Sequence, residues 1–429
     1  MGKQFLEITE QREAERKIQE LSARIAKQLD SELVSIESAL GRVASTDIFS
    51  PLNIPPFDRA TMDGYAVVAS DTYYCSEDAP ATLIVKARIR AGEAHSGDIE
   101  RGFCMGISTG AAVPKGADAV VKVENTMEIE REDKDVVKIY KPVAPGENIM
   151  LAGTDIKRGE KIVTRGTTLT AQDTGVIAAC GLPTVKVYKK PTVAVISTGD
   201  ELIMPGENLT PGKIYDVNAR TLSDSIRECG SVPLSLGIVR DRKEEIRNKI
   251  KEALRMGADV IILSGGTSAG GGDEVPVAIA EVGELILHGV DIKPGKPFVL
   301  GMCHDKPVFG LPGNPTSALI TFNLFVAPLL RAISGSIQIQ NQNQQPKQKR
   351  RKKVKVKTAC RIFSEPGRNE YLMVKLVPGN GNLVAYPILS GSGAITTLAK
   401  ADGYIYMGKG REIIEEGEEV EVELLVNII

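Results

Sequence analysis

After Lys190 the chain alternates in a way that leaves few folds open to it. Short β-branched runs typical of buried strands are separated by stretches with the apolar spacing of amphipathic helices. The runs are "TVAVIS", "DVIILS", "KPFVLG" and "PVFGLPG", and the helical stretches lie near residues 217–229, 242–256, 274–283 and 316–332. Strands alternating with helices predict a parallel sheet covered on both faces. We therefore expect a three-layer α/β domain over residues 188–335.

The flanking regions predict mainly β units and one helix. Near the N-terminus, apolar residues recur at spacings of three and four, which predicts a packing or dimerisation helix. These residues are Ile18, Leu21, Ile25 and Leu29. Short apolar stretches between Gly and Pro predict a β module at 58–142, inserted into an N-terminal helical or dimerisation domain made of 1–57 and 143–187. A polar linker, 336–353, leads to a small β barrel at 354–429.

Composition narrows the functional classes. The 429 residues suffice for several cores, the formal net charge is −2, and the chain has no Trp and only 4% aromatic residues. This balance argues against nucleic acid as the general partner. The six cysteines form no C-x-x-C pair and the three histidines stand apart, so a zinc site is disfavoured. The charged N-terminus lacks the apolar core of a signal peptide or membrane span, and we expect a cytoplasmic protein.

A basic run at residues 347–357 allows two interpretations. It could bind nucleic acid or a membrane surface, or it could be a solvated charge run that leads into the strand "KVKVKTACRIF". The near-neutral total charge favours the second interpretation.

The most distinctive loop is "SGGTSAGGGDEVP", residues 264–276, which follows the run "DVIILS". Ligands of α/β sheets bind beyond the carboxyl ends of the strands. Glycines such as Gly265, Gly266 and Gly270 let backbone N–H groups approach a ligand, and Thr267 and Ser268 add hydroxyls. The alternative is a tight turn with Asp273 as helix N-cap. The Walker lysine pattern is absent.

Two further loops suit anions. In "GLPGNPTSAL", Asn314 at the N-cap and Pro315 at the first helical position predict a helix start whose free N–H groups attract negative charge. In "DIKPGKP", Lys293 and Lys296 lie on a proline-stiffened turn that suits phosphate or another oxyanion. Solvated surface lysines are the alternative.

Several carboxylates lie in loops and could hold Mg²⁺ beside a phosphate. Asp63 could instead form a simple turn with Gly64, and Asp241 stands three residues before Glu244, a capping-box spacing. The set is Asp63, Asp155, Glu201, Asp241 and Asp273.

Six motifs, in this order, resemble the molybdopterin molybdenumtransferase family, which includes MoeA and the gephyrin E domain. "SGG" and "GNP" recur in other molybdenum cofactor domains, but six motifs in register are specific, and the resemblance spans the chain from about residue 10 to the end. The motifs are "PPFDRATMDGYAV", "GISTGAAVPKGADAVV", "STGDEL", "SGGTSAGGGD", "IKPGKPFVLG" and "GLPGNPTSAL".

The resemblance implies an activity. Members bind adenylated molybdopterin, molybdopterin-AMP, together with molybdate, and Mg²⁺-dependent cleavage of the phosphoanhydride releases AMP as the metal enters the dithiolene. It also implies a homodimer whose site joins the α/β domain of one copy to the β module of the other. A molybdopterin adenylyltransferase is the expected substrate donor.

The resemblance also assigns residues. Its expected catalytic residues are Asp63, Thr109, Asp155, Glu201, Asp241 and Asp273. Glu201 and Asp273 are the expected metal ligands. Its expected substrate-binding residues are Gly265, Gly266, Thr267, Ser268, Gly270, Lys293, Lys296, Pro312, Asn314, Arg368 and Ser392.

One departure keeps alternatives open. The family shows an arginine-containing stretch ending in Gly-Glu-Asp, whereas here residues 150–155 read "MLAGTD", which removes positive charge and one acid. A tungstate-inserting paralogue, an enzyme that only adenylates molybdopterin, and a non-catalytic scaffold are the alternative functions. The carboxylates in both halves of the chain argue against the last two.

Overall fold

The structure is a computed structural model that describes residues 8–26, 30–93, 97–129, 134–267, 274–335, 352–379 and 382–425. In chain order its first half contains α1 (Gln11–Ala26), β1 (Ser31–Ser35), β2 (Ile48–Phe49), β3 (Arg59–Ala60), β4 (Gly64–Val67), β5 (Ala81–Ile89), β6 (Phe103–Ile107), β7 (Ala119–Lys122), β8 (Thr126–Ile129), β9 (Val136–Ile139), β10 (Ile149–Met150), β11 (Lys161–Val163), α2 (Ala171–Ala179) and β12 (Thr184–Tyr188).

The central α/β unit follows, and the predicted helices after Lys190 are confirmed there. A π-helical turn, Phe322–Val326, joins its last two helices. The elements are β13 (Thr192–Thr198), β14 (Leu202–Ile203), β15 (Ile214–Tyr215), α3 (Asn218–Glu228), β16 (Val232–Val239), α4 (Lys243–Arg255), β17 (Val260–Ser264), α5 (Glu274–Val282), β18 (Glu284–His288), β19 (Ile292–Lys293), β20 (Val299–Cys303), β21 (Lys306–Leu311), α6 (Pro315–Thr321) and α7 (Ala327–Ile333).

The α/β sheet has the strand order β16-β13-β17-β21-β20-β18. The expectation of parallel strands is wrong for β20, which is antiparallel to both of its neighbours. Only His304 and Asp305 separate β20 from β21, and both have positive φ, 47° and 62°. Such a two-residue loop closes a hairpin, whereas a parallel crossover needs about a dozen residues.

Both faces of this sheet are buried, as predicted. Along β13, Val193 and Val195 belong to one hydrophobic cluster, and Ala194 and Ile196 belong to another. Successive side chains of a strand point to opposite faces, so each face packs against its own layer of helices. The expected three-layer α/β domain with flanking β-rich units is confirmed.

Helix α1 packs on the α/β unit. Its residues Ala14, Ile18 and Leu21 share a cluster with the sheet and with α7. The segments that contain β1, β2, β11, α2 and β12 bury a separate core. Leu29, expected on the apolar face of this helix, lies outside the described residues. The domain limits expected from the sequence stay a prediction.

Two β units complete the molecule. The first is a sheet of order β7-β4-β6-β5-β9-β8. The second comprises β22 (Lys353–Thr358), β23 (Ile362–Phe363), β24 (Asn369–Pro378), β25 (Leu383–Pro387), α8 (Ile395–Lys400), β26 (Gly403–Met407), β27 (Ile413–Ile414) and β28 (Glu419–Leu424). Its strands run β24-β25-β22-β28-β26, and a β24–β26 pairing closes the ring. Strand β19 of the α/β unit joins this barrel by pairing with β24.

The described part of the basic run lies on β22, opposite acidic residues of β28. Lys353, Lys355 and Lys357 are in register with Glu423, Glu421 and Glu419. Lys355 Nζ lies 3.5 Å from Glu419 Oε1, and Lys353 pairs with Glu421. Lys353, Lys355 and Lys357 are exposed on the barrel strand, and two of them pair with acids of β28, which favours the solvated-strand interpretation.

One helical stretch, Pro315–Ile333, is long and apolar enough to cross a membrane, and 78% of its most apolar window is buried inside the molecule. It is the only such stretch in the part of the chain that the structure describes. Burial of this kind is typical of a core helix.

Candidate functional site

The polar loops predicted from the sequence meet at one edge of the α/β sheet. The ends of β13, β17 and β21 are adjacent, because Ser197 is in register with Ser264 and Ser264 with Leu311. Strand β20 begins at the same edge, since Val299 faces Gly310. Its reversal therefore brings the basic turn before it, which carries Lys293 and Lys296, to this edge.

The first two glycines of the 264–276 loop pack directly on the end of β13. A Cβ on Gly265 would lie 2.1 Å from the carbonyl oxygen of Thr198, and one on Gly266 would lie 2.7 Å from Thr198 Oγ1. Their φ values are +105° and +59°. No side chain fits either position, so these glycines allow close approach of two strand ends.

Asp241 turns towards this contact. Thr198 Oγ1 donates a hydrogen bond of 2.6 Å to Asp241 Oδ1. The capping-box interpretation is wrong, because α4 has Arg242 at its N-cap and makes no side-chain capping bond. Asp241 instead presents a half-buried carboxylate at the end of β13.

Thr267 is placed differently from the expectation of a ligand hydroxyl. Its side chain is buried, and its Oγ1 donates to the carbonyl of Leu311 at 3.4 Å. The hydroxyl thus joins β17 to β21. The remaining predicted residues of this loop, Ser268, Gly270 and Asp273, lie outside the described residues.

Glu201 is the exposed acid of the loop after β13. Its backbone carbonyl accepts from Ile214 N at 2.9 Å, which fixes the loop against β15. No hydrogen bond or ion pair engages its carboxylate among the residues described. It is therefore available to a cation or a substrate group.

Asn218 and Asp216 were missed by the sequence reasoning. Asn218 Nδ2 donates to Ser264 Oγ at 2.8 Å and to the carbonyl of Gly313 at 2.7 Å, joining two of the predicted loops. Asp216 Oδ1 accepts from Ala219 N, in the first turn of α3, at 3.0 Å. The signal was the pair of Asx residues in "YDVNAR" just before a helical stretch.

The basic turn is tied to the barrel. Lys293 Nζ lies 3.2 Å from both Glu365 Oε1 and Glu370 Oε1. Burial lowers the pKa of Lys293, but hydrogen bonds to the two carboxylates outweigh it and raise the pKa overall. Lys293 is thus charged and already paired.

Lys296 and Arg368 line one cavity of about 250 Å³. Lys296 belongs to the α/β unit, and Arg368 stands just before β24 of the barrel. Lys409, which the sequence reasoning missed, is a third cation of this cavity, and Glu10 and Asp291 are its acids. The structure thus brings together two of the residues expected to bind an oxyanion.

The loop at residues 312–314 also meets the barrel. Asn314 occupies the N-cap of α6 with Pro315 following, as predicted, but its side chain makes no capping bond. Asn314 Nδ2 donates instead to Ser392 Oγ at 3.0 Å, and Thr316 N donates to the carbonyl of Ser392 at 3.2 Å. Pro312 is buried beside this loop.

The remaining predicted acids lie on the N-terminal half. Asp63 Oδ1 accepts from Thr109 N at 2.7 Å and from Thr109 Oγ1 at 3.1 Å, so it does more than form a turn. Asp155 is exposed, with its N–H bonded to the carbonyl of Ile54 at 3.0 Å. Within the described part of one chain, no hydrogen bond or ion pair joins these acids to Glu201.

Comparison with known proteins shows how far the likeness extends. Models described as the MoeA N-terminal region (domain I and II), a probable molybdopterin binding domain and the MoeA C-terminal region (domain IV) match residues 9–181, 194–332 and 355–425. The molybdopterin molybdenumtransferase of Bacillus subtilis is 32% identical, over 93% of this chain and 91% of its own length. This chain belongs to the molybdopterin molybdenumtransferase family.

A second relative and a solved structure agree with this family assignment. The molybdopterin molybdenumtransferase of Nostoc sp. is 36% identical, over 73% of this chain and 72% of its own length. The crystal structure of a molybdopterin biosynthesis MoeA protein from Pyrococcus horikosii is 40% identical, with a TM-score of 0.83, over 98% of this chain and all of that one. The family resemblance expected from the six motifs is confirmed.

The cysteines of this family member are mostly interior. Cys104, Cys180, Cys229 and Cys303 are buried. Burial raises the pKa of Cys104 to about 12 and that of Cys303 to about 11, so neither is a thiolate at neutral pH. Among the described residues, no three His, Cys, Asp or Glu side chains are grouped closely enough to hold a metal ion.

Proposed function

We propose that this chain is a molybdopterin molybdenumtransferase, which inserts molybdate into adenylated molybdopterin and releases AMP in molybdenum cofactor biosynthesis. The observation that carries the proposal is one sheet edge where acids, Glu201 and Asp241, stand on the same side as a basic turn and a barrel wall with Arg368. The Bacillus subtilis relative of this name, matched over 93% of this chain, supports it.

Mg²⁺ is the cofactor of this proposal. Carboxylate oxygens are ligands that Mg²⁺ accepts, and it commonly bridges one or two of them to substrate phosphates. The exposed Glu201 carboxylate fits that role, and Asp273 is the second expected ligand. When bound, the ion would offset the negative charge of the phosphoanhydride during cleavage.

The residues of the edge have distinct tasks in the proposal. The loop that begins at Gly265 and Gly266 binds the pterin phosphate. Lys296 and Arg368 bind the dianionic molybdate, since charge-assisted hydrogen bonds are the strong ones. Thr198 holds Asp241 by Oδ1, which leaves Oδ2 to accept a hydrogen bond from the attacking water.

The N-terminal acids enter the proposal through a homodimer. Asp63 and Thr109 form a preorganised pair on an exposed face of the β module. We assign them, with Asp155, to the site of a second copy of the chain. A cytoplasmic location and substrate supply by a molybdopterin adenylyltransferase belong to the same proposal.

The decisive experiment follows AMP release and cofactor formation by the purified protein with molybdopterin-AMP, Mg²⁺ and either molybdate or tungstate. Molybdate-dependent and Mg²⁺-dependent AMP release is the expected result. A preference for tungstate would support the paralogue, and no metal-dependent release with either oxyanion would leave the scaffold role.

A further inference from the structure

The backbone just before the basic turn is held from both sides by other parts of the chain. Thr9 N donates to the carbonyl of Gly289 at 3.0 Å, and Asp291 N donates to the carbonyl of Thr9 at 3.1 Å. On the other side, Asn369 N donates to the carbonyl of Asp291 at 3.2 Å. Asp291 is therefore the residue where the N-terminal segment, the α/β unit and the barrel meet.

The side chain of Asp291 makes the same three-way junction. Only 11% of it is exposed, and its Oδ1 accepts from Gln11 N, the start of α1, at 2.6 Å. Its Oδ2 forms an ion pair with Lys409 of the barrel. This pairing with Asp291 is the main cause that raises the pKa of Lys409.

This junction also lines the cavity that contains Lys296 and Arg368. Asp291 and Lys409 line the same space of about 250 Å³ as Lys296 and Arg368. The two anion-binding side chains come from different units, so the distance between them depends on how those units are joined. Asp291 lies five residues before Lys296 and three before the turn's Pro294, and it contacts the barrel directly.

We infer that Asp291 is a positioning residue for oxyanion binding: through Gln11 N and Lys409 it fixes the basic turn against the barrel, so that Lys296 and Arg368 bind one tetrahedral oxyanion together. The inference rests on the proposed function, because that proposal places molybdate in this cavity.

Electrostatics alone predicts the opposite effect, which makes the inference testable. A carboxylate beside an anion site repels the anion. If Asp291 acted only through its charge, its removal would tighten molybdate binding. If it positions the cationic groups, its removal weakens binding despite the gain in positive charge.

The experiment uses the full chain with molybdate as the probe. Equilibrium dialysis gives the molybdate Kd, and AMP release at varied molybdate gives KM and kcat. For Asp291→Asn we expect Kd and KM to rise by about tenfold, a change typical of mutations that affect a ligand site without contacting the ligand. We expect kcat at saturating molybdate to stay within about twofold of the wild-type value. Asp291→Glu, which keeps the charge, should restore part of the affinity.

Glu10→Gln is the matched control. Glu10 lines the same cavity and reaches Lys409, with Oε1 at 3.4 Å from Nζ, but its side chain bonds no backbone group of the described residues. Its removal should leave the molybdate Kd unchanged or lower. The double variant Asp291→Asn with Lys409→Gln keeps the wild-type net charge and leaves no unpaired buried charge. It should bind molybdate at least as weakly as Asp291→Asn.

The outcomes separate the two proposals. Wild-type affinity in the double variant, or unchanged or tighter binding by folded Asp291→Asn, would overturn the positioning role while the wild type stays active. A wild type that neither binds molybdate nor releases AMP would instead contradict the proposed function.

Discussion

At the residue scale, the site depends on positions where only hydrogen fits. Gly266 combines a positive φ with a close contact to the Thr198 hydroxyl, which in turn holds Asp241. A methyl group there would have to displace the hydroxyl that orients a carboxylate. Stability and chemistry are therefore coupled at this glycine.

Gly266→Ala should lower both the free energy of unfolding and the rate of AMP release. The left-handed backbone costs about 1–2 kcal/mol for alanine, and the collision with Thr198 adds to it. Gly257→Ala is the control, because Gly257 has φ +80° with open space around its Cβ position. It should lose stability in urea unfolding without losing activity. Equal activity losses in the two variants would contradict the role of the contact.

Glu201→Gln should reduce the rate of AMP release by about a hundredfold or more. The reason is that a metal ion held by this carboxylate would stabilise the transition-state charge by several kcal/mol. The melting temperature should stay unchanged, since the carboxylate is exposed and has no partner among the described residues. Glu207→Gln, at an exposed acid of the next loop, between β14 and β15, whose Oε2 accepts from Met204 N, is the control. Asp273→Ala, at the second expected metal ligand, should abolish turnover. Normal turnover in either folded variant would refute its role as a metal ligand.

At the scale of elements, strand order decides which loops share an edge. The β-branched runs and helix spacings suffice to predict the α/β unit and its ligand-binding edge. The reversed β20 could not be predicted, because "HD" lacks the Asn-Gly signal of a two-residue hairpin. The Thr198–Asp241 and Asn218–Ser264 hydrogen bonds could not be predicted either. They join residues 43 and 46 positions apart, and contacts at such separations depend on strand order.

Asn218→Ala should remove the side-chain bridge between the end of β17 and the loop after β21. It leaves a buried hydroxyl and a carbonyl without their donor, which costs about 1–3 kcal/mol. Ser223→Ala, at a buried position of the same helix, should cost less. Chemical unfolding measures both, and an Asn218 variant as stable as the Ser223 variant would show that the bridge contributes little.

At the scale of the whole molecule, the candidate residues divide into two groups that no hydrogen bond or ion pair joins within the described part of one chain. One group surrounds Glu201, and the other contains Asp63 and Thr109.

The basic run at 347–357, ambiguous in the sequence, lies partly on β22 opposite Glu419, Glu421 and Glu423. Sequence pattern could not pair these strands, because they are about sixty residues apart.

Mixing two inactive variants tests the shared site. Asp63→Asn and Glu201→Gln should each be inactive alone. After subunit exchange, half of the dimers carry one intact site, so activity should recover to about a quarter of wild type. Both changes in one chain serve as the control and should never recover. No recovery in confirmed mixed dimers would place both residues in a site within one chain.

Strand β19 contributes only two residues to the barrel sheet, yet it has a mechanical consequence. Its pairing with β24 ties the segment just before the basic turn to the barrel sheet through the backbone. A movement of the barrel away from the α/β unit would first have to break the hydrogen bonds between β19 and β24. The two units therefore form the walls of the pocket before an anion binds. Anion binding then does not have to offset the entropic cost of bringing these walls together.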